Sequence, residues 1–253
     1  MQEILSAFKS KKTRWQIVIC ALVFIGMAVP FKVMVLIEGF TEVRPVNAVP
    51  VVVGLLFGPA GAWGCAIGNL AADLFGTFSR GSVLGFIGNF IAAWLPYKLW
   101  HLSGKRETPN VKDVKNIIKF IYISAVAASA TAIFIACGLD VFFDMWMPRI
   151  FWIIIINDFG FPLLFGLPFL IVLTSEDSTI EITLPPETQP DRTTVLRGKR
   201  HHYLKLGSLV FLLASEACLI IMIALGMQMT VSWLMYTAGG IFIICLLSMS
   251  LSD

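Results

Sequence analysis

Several polar side chains interrupt otherwise apolar stretches, and they are the first residues whose chemistry needs an explanation. Asn69 and Asp73 are four residues apart, so a helix would place them one turn apart on the same face. Asn89, and the adjacent pair Asn157 and Asp158, lie in similar apolar surroundings. Because polar groups are costly inside a lipid bilayer, each of them is a candidate functional residue.

The alternative is that these groups satisfy one another and hold helices together. An ion pair between Asp73 and Arg80 would do this, and so would hydrogen bonds from asparagine side chains to the backbone. We assign Asn69, Asp73 and Arg80 to this structural role. For Asn89 and Asp158 we favour a role in binding.

Charged and aromatic residues are concentrated in three polar connections on one side of the predicted bundle. Rings can stack on a cyclic ligand, and carboxylates and guanidinium groups can fix its orientation, so the set suits a polar, ring-bearing ligand. The alternative is a solvated rim with tryptophans at the lipid headgroup level. The predicted rim residues are Glu38, Thr41, Glu42, Arg44, Asn47, Arg80, Asp140, Asp144, Trp146, Arg149 and Trp152.

The sequence offers little for enzymatic chemistry. Its histidines are His101, His201 and His202, and it contains no HExxH, GxSxG or phosphate-binding GxxxxGK motif. The 5 cysteines lie in or beside apolar runs without CxxC spacing, so we expect no disulfide, metal or cofactor. We therefore expect the chain not to be an enzyme and not to hydrolyse ATP itself.

The composition indicates an integral membrane protein. Of 253 residues, 57% are hydrophobic and only 14% are charged, and the mean hydropathy is +0.83. A bilayer-spanning helix needs about 20 mostly apolar residues. We predict an all-α polytopic protein with spans at about 15–37, 46–57, 60–77, 82–101, 115–137, 149–173, 205–226 and 231–251. The short second span leaves open whether the second and third spans form a re-entrant hairpin.

The distribution of positive charge predicts the orientation. If the N-terminus is cytoplasmic, 15 of the 19 Lys and Arg residues lie on the cytoplasmic side. We therefore expect a multi-pass protein of the cell membrane with both termini inside. The predicted division is a basic amphipathic lead-in (1–14), a six-helix membrane unit (15–174), a cytoplasmic linker (175–204) and a two-helix appendix (205–253).

One stretch resembles a known family. The run RPVNAVPVVVGLLFGPAGAWGCAIGNLAADLFG at residues 44–76 is similar to the second and third helices of the substrate-binding S components of energy-coupling factor transporters. The shared features are the Gly-Pro turn with a following glycine, at Gly58, Pro59 and Gly61, and the D-L-x-G ending at Asp73 to Gly76, which match the family pattern in kind though not at every spacing. The resemblance covers roughly residues 15–174, and the queuosine-precursor group is nearest because it also has an Arg/Glu-bearing loop before the second helix.

The resemblance implies a six-helix protein that binds a micronutrient from outside with high affinity. Such proteins dock on a transmembrane T subunit that carries two cytoplasmic ATPases. Two departures are the absence of a clear A-x-x-x-A motif in the first span and the presence of two extra spans. Carried onto this sequence, the ligand-binding positions are Glu38, Glu42, Arg44, Asn47, Asn89, Trp146, Arg149, Trp152, Asn157 and Asp158.

The resulting hypothesis is a substrate-capture subunit of an ATP-driven importer for a small, polar, heteroaromatic micronutrient such as a vitamin or a queuosine precursor. One alternative is a proton-coupled secondary transporter. Another is an intramembrane enzyme that uses Asp73 and Asp158 as acid–base groups, and a third is a structural or sensory membrane domain. The sequence leaves open the ligand, the oligomeric state and the role of the last two helices.

Overall fold

The computed structural model describes residues 2–37, 41–76, 78–103, 107–185 and 192–251. At residues 2, 37, 41, 42, 192–202, 250 and 251 it describes the backbone alone. The architecture is all-α, as predicted, with one small two-stranded ribbon. The helices are α1 Gln2–Ser6, α2 Lys11–Ala28, α3 Ala48–Phe57, α4 Pro59–Asp73, α5 Gly81–Trp100, α6 Val114–Phe143, α7 Pro148–Phe161, α8 Leu167–Leu173, α9 Arg192–Ala224 and α10 Trp233–Leu251.

Several of these helices can cross a membrane by length and composition. The qualifying segments in the described chain are Lys11–Phe31, Val114–Phe143, Pro148–Leu173 and Tyr203–Ala224. Pro45–Phe57 and Trp233–Met249 are apolar but shorter. The chain is therefore a multi-pass membrane protein, which confirms the predicted class.

The first predicted span ends earlier than expected. Helix α2 ends at Ala28, and a 3₁₀ turn, Val29–Phe31, follows it. Pro30 lies inside that turn, and its ring and missing N–H disfavour further α-helix. The chain then forms strand β1 (Val35–Ile37), which pairs antiparallel with β2 (Thr41–Glu42). Residues 29–37, predicted as the end of a span, thus belong to the connection between α2 and α3.

A tight hairpin joins α3 and α4. Gly58 has φ +53° and ψ −129°, a conformation that suits glycine. A Cβ atom at Gly61 would lie 2.2 Å from the Val53 carbonyl oxygen, so only glycine permits this approach. With 10 and 15 residues, the two helices are about 15 and 22 Å long, less than the roughly 30 Å of a bilayer core. Almost every residue of α3 is buried, which makes it the central element of the bundle.

The glycines of α4 serve packing inside the molecule. A Cβ atom at Gly64 would lie 2.4 Å from Cys20 Cβ, and one at Gly68 would lie 2.7 Å from Phe24 Cβ. Helix α2 therefore lies directly against Gly64 and Gly68, as expected for small residues at four-residue spacing. These two positions are covered within the chain and offer no surface to a partner.

The last helices form a separate pair. Helix α9 begins at Arg192, inside the segment predicted as a linker, and runs for 33 residues. It packs against α10 and also against α6. We refer to α9, α10 and the loop 225–232 between them as the C-terminal helix pair.

Candidate functional site

Polar side chains converge at the end of the bundle opposite to α1. Helix α4 starts beside α1, where the Trp63 indole N–H donates to the Ile4 carbonyl oxygen at 3.0 Å, and it ends at Asp73. A cavity of about 60 Å³ lies at this second end. Its lining includes the polar residues Arg44, Asn47, Asn69, Asp73, Ser79, Ser82, Asn89, Thr131, Asn157 and Asp158, together with Ile135, Leu139, Ile150 and Ile154.

The segment before α3 brings Arg44 and Asn47 to the cavity. A 3₁₀ turn, Pro45–Asn47, follows Arg44, and Pro45 at its first position fixes the backbone there. Asn47 precedes α3, but its side chain does not cap the helix. Instead its amide donates a short hydrogen bond to the Asp158 carboxylate on α7.

Helix α4 supplies the next two polar groups, at the predicted spacing. The Asn69 amide oxygen accepts a hydrogen bond from Arg44 Nη2 at 2.5 Å. The Asn69 amide nitrogen lies 3.5 Å from Asp73 Oδ2, one turn further along the same face. Gly85 on α5 makes room for Asn69, since a Cβ atom there would lie 2.9 Å from the Asn69 amide nitrogen.

Asp73 forms a buried ion pair with Lys32. The distance from Lys32 Nζ to Asp73 Oδ1 is 2.9 Å, and the side chains are 6% and 9% exposed, respectively. The expected pair of Asp73 with Arg80 is wrong, because Arg80 is exposed at the start of α5 and Lys32 occupies the carboxylate. The earlier end of α2 explains the difference, since it lets Lys32 fold back over the end of α4.

Helices α5 and α7 complete the wall. Asn89 is buried, and its amide donates to the Gly85 carbonyl oxygen of its own helix at 2.9 Å. On α7, the Asn157 amide oxygen accepts from the Arg44 backbone N–H at 3.4 Å. Asp158 interacts electrostatically with the Arg44 guanidinium. Beyond them a π-helical turn, Pro162–Gly166, interrupts the helix.

The arrangement is a network with mixed hydrogen-bonding character. Arg44 only donates, Asp73 and Asp158 accept when ionised, and each asparagine can do both. The Asn47 amide oxygen is buried and has no hydrogen bond within the described part of the chain. Such a set can bind a neutral or weakly charged molecule whose edges carry both donors and acceptors.

Other predicted rim residues do not line this cavity. Trp146 is half-buried against the apolar core, Arg149 is exposed, and Trp152 is 40% exposed with its ring against Phe151. Asp144 is exposed, at the end of α6. Glu38 lies outside the described residues, and for Glu42 the backbone alone is described.

Asp140 departs from its predicted place. It lies inside α6, which continues to Phe143, and it is 1% exposed. Its carboxylate accepts hydrogen bonds from Thr230 rather than facing the rim. The polar lining residues that sequence reasoning missed are Ser79, Ser82 and Thr131, because Ser and Thr are common in membrane helices and carry no distinctive spacing.

Comparison with known proteins identifies a family. The family model described as QueT transporter matches residues 7–175, about two thirds of the chain. This range contains α2 to α8 and every residue that lines the cavity, and it stops before the C-terminal helix pair. No curated protein and no solved structure matches the chain.

Proposed function

Because the chain belongs to the QueT transporter family, the queuosine-precursor group of S components in energy-coupling factor transporters, we propose that it captures a queuosine precursor or a similar micronutrient. Family membership makes it a transporter component and not an enzyme. The proposal concerns the class of substrate, the site that binds it, the partners and the orientation in the membrane.

The single observation that supports this site is the polar network around the cavity. Arg44, Asn69, Asn157 and Asp158 come from three different parts of the chain and converge within an otherwise apolar bundle. Burying so many polar groups is costly unless they are hydrogen-bonded or serve binding. A small polar heteroaromatic molecule, with donors and acceptors along its ring edges, is the ligand that these groups fit.

Ligand entry requires the network to open. A cavity of about 60 Å³ has room for a few water molecules and is smaller than a fused heteroaromatic ring. The Arg44 guanidinium hydrogen-bonds to Asn69, and both residues line the cavity, so in this proposal the ligand displaces the Arg44 side chain. In the bound state, Arg44 and the asparagine amides no longer hydrogen-bond to one another. They hydrogen-bond to the ligand instead.

Coupling to energy comes from partner proteins in this proposal. The S component works with a transmembrane T subunit and two cytoplasmic ATPases, as the family resemblance implies. The cavity end of the bundle faces outward and both termini are cytoplasmic, in line with the positive-charge bias of the sequence. The six-helix unit at 15–174 carries the binding site, and residues 205–253 are an additional unit.

Binding is tested first on the purified full-length protein. We expect native mass spectrometry to detect a co-purified small molecule, and titration with a queuosine precursor to give a saturable heat signal. A heteroaromatic base that lacks the precursor's modification serves as the matched control ligand. Saturable binding of both molecules with equal affinity, or of neither, would contradict the proposed substrate class.

Uptake separates the transport mechanisms. Proteoliposomes that contain the protein with T and ATPase partners should accumulate the precursor only when ATP is supplied on the ATPase side. Uptake by the protein alone that an uncoupler abolishes would instead identify a proton-coupled secondary transporter. Chemical conversion of the precursor during the assay would reveal an intramembrane enzyme.

A further inference from the structure

Helix α6 has two faces that contact different parts of the molecule. Thr131, Ile135 and Leu139 lie at four-residue spacing and line the cavity. Ser129 and Asp140 are 11 residues apart, close to three full helical turns, so they share a second face. A rotation of about 100° per residue places Ser129 roughly opposite to Thr131. One helix therefore contacts the cavity on one side and a different neighbour on the other.

The first contact on the second face joins α6 to α9. Ser129 Oγ donates a hydrogen bond of 2.7 Å to Glu216 Oε2. Glu216 is 3% exposed and Ser129 is 9% exposed. The other oxygen of Glu216, Oε1, is buried and makes no hydrogen bond within the described part of the chain. Within the described part of the chain, Ser129 is thus the hydrogen-bond partner of the Glu216 carboxyl group, which lies between apolar helices.

The second contact joins α6 to the loop before α10. The Thr230 backbone N–H donates to Asp140 Oδ2 at 3.2 Å, and the Thr230 hydroxyl donates to Oδ1 at 3.3 Å. Both oxygens of a carboxylate that is 1% exposed are therefore bound by one residue of the C-terminal helix pair.

The two contacts bracket the cavity-lining part of α6. They are about 16 Å apart along the helix axis, and Thr131, Ile135 and Leu139 lie between them in sequence. On the cavity side, the Thr131 hydroxyl lies 3.4 Å from the Gly88 carbonyl oxygen of α5. A shift or rotation of α6 between its two anchors would move all three lining side chains together.

We propose that the C-terminal helix pair fixes the α6 wall of the binding cavity, and that Glu216 and Thr230 are positioning residues for ligand binding. This inference rests on the proposed function for its ligand, and it concerns residues beyond the matched range 7–175. Interhelical hydrogen bonds between polar side chains hold membrane helices in register, because little hydrophobic driving force acts between helices in lipid. The C-terminal helix pair then acts through Ser129 and Asp140 and does not contact the ligand.

The first test measures the affinity of the full-length protein for a queuosine precursor. It is done at a temperature well below the melting temperature of the protein. Ser129→Ala and Glu216→Leu should each weaken binding about fivefold to tenfold, the scale of one lost hydrogen bond. Glu216→Gln should restore binding to within about twofold, because its amide oxygen still accepts from Ser129. The double variant Ser129→Ala/Glu216→Leu should be no weaker than either single variant, since both remove the same contact.

Matched controls distinguish positioning from a general loss of stability. Ser215→Ala removes a buried hydroxyl that donates only to the Leu212 carbonyl oxygen of its own helix among the described contacts, so it should leave affinity unchanged. Thr230→Val should weaken binding, whereas Thr237→Val, at an exposed position on α10, should not. Should Glu216→Leu fail to fold, Ser129→Ala and Thr230→Val test the same contacts.

A second measurement does not need the ligand. Backbone hydrogen exchange in residues 131–139 should become at least about threefold faster in Ser129→Ala and Glu216→Leu, and should stay unchanged in Ser215→Ala. Unchanged exchange overturns the proposal, and so does faster exchange with unchanged affinity. If the unmodified protein binds no queuosine precursor, the proposed function fails, and the exchange data alone decide whether the pair positions α6.

Discussion

Each end of the helical bundle buries a lysine against a carboxylate. At the end that contains the cavity, Lys32 pairs with Asp73 at 2.9 Å. At the opposite end, which we call the closed end, Lys98 pairs with Glu3 of α1 at 2.5 Å. The side chains are similarly buried, at 6% and 9% exposed in the first pair and 9% and 12% in the second.

The surroundings of the two ion pairs differ. At the closed end, Glu3 also accepts from the Tyr97 hydroxyl at 2.6 Å, and the Trp63 ring packs edge-on against Phe8 and Phe90. At the cavity end, Asn69 hydrogen-bonds to both Asp73 and Arg44, and we propose that a ligand replaces these side-chain hydrogen bonds. The same ionic contact therefore closes one end with aromatic packing and supports an exchangeable polar network at the other.

The largest expected effect is on stability, at the cavity end. Asp73→Leu removes the ion-pair partner of the buried Lys32 and should destabilise the protein by about 3 to 5 kcal/mol. The change in the free energy of unfolding is measured by unfolding the purified protein in detergent. The double variant Lys32→Met/Asp73→Leu should recover most of the loss, because it leaves no buried charge at this position. If Asp73→Leu were as stable as the parent protein, water would have to reach Lys32. The Lys32–Asp73 and Lys98–Glu3 pairs would then not be equally buried.

The second effect is on binding and should separate the two ends. Arg44→Ala should weaken affinity for a queuosine precursor by about 2 kcal/mol, or roughly thirtyfold, since a charged donor to the ligand is lost. Lys98→Ala, at the closed end, should leave affinity unchanged at a temperature where it remains folded. Arg80→Ala is the matched control, because Arg80 is an exposed arginine near the same end as the cavity. Equal losses in Arg44→Ala and Arg80→Ala would point to long-range charge rather than a contact.

The sequence predicts the helices and the polar positions better than it predicts their partners. The i, i+4 relation of Asn69 and Asp73 follows from helical periodicity alone. Lys32 and Asp73 are 41 residues apart, and Asn47 and Asp158 are 111 apart. Which helix faces meet across such distances depends on packing, so the pattern led us to pair Asp73 with Arg80 instead.

Aromatic residues were misleading for a related reason. Tryptophans near the ends of membrane helices suit both a ligand and the lipid interface, and a single sequence does not separate the two environments. The structure leaves Trp152 well exposed and away from the cavity, while Ser79, Ser82 and Thr131 line it. The early end of α2 was also missed, although Pro30 was visible, because the apolar run continues to Ile37.

A smaller stability effect is expected at the closed end. Glu3→Ala removes the partner of Lys98 and should cost about 1 to 2 kcal/mol, less than the 3 to 5 kcal/mol of a fully buried pair. Helix α1 has only 5 residues, so it can detach more easily than a long helix and let water reach Lys98. Trp94 and Tyr97 rings within 5.8 Å of Lys98 Nζ also stabilise the cation. Glu3→Gln should lose less than Glu3→Ala, and a loss equal to that of Asp73→Leu would contradict the difference between the ends.

The smallest effect concerns residues that the sequence placed at the site and the structure places outside it. Arg149→Ala and Trp152→Ala should each change affinity for a queuosine precursor by less than about twofold, because truncating a side chain that does not contact the ligand removes no partner from it. Titration calorimetry under the same conditions measures the affinities of the Arg149→Ala, Trp152→Ala and Arg44→Ala variants, so that the three values can be compared directly. If Trp152→Ala weakened binding as strongly as Arg44→Ala, the ligand would have to extend from the cavity to the outer surface of α7. The polar network would then be the inner part of a larger site, and the cavity end would differ from the closed end in its outer aromatic residues as well as in its buried amides.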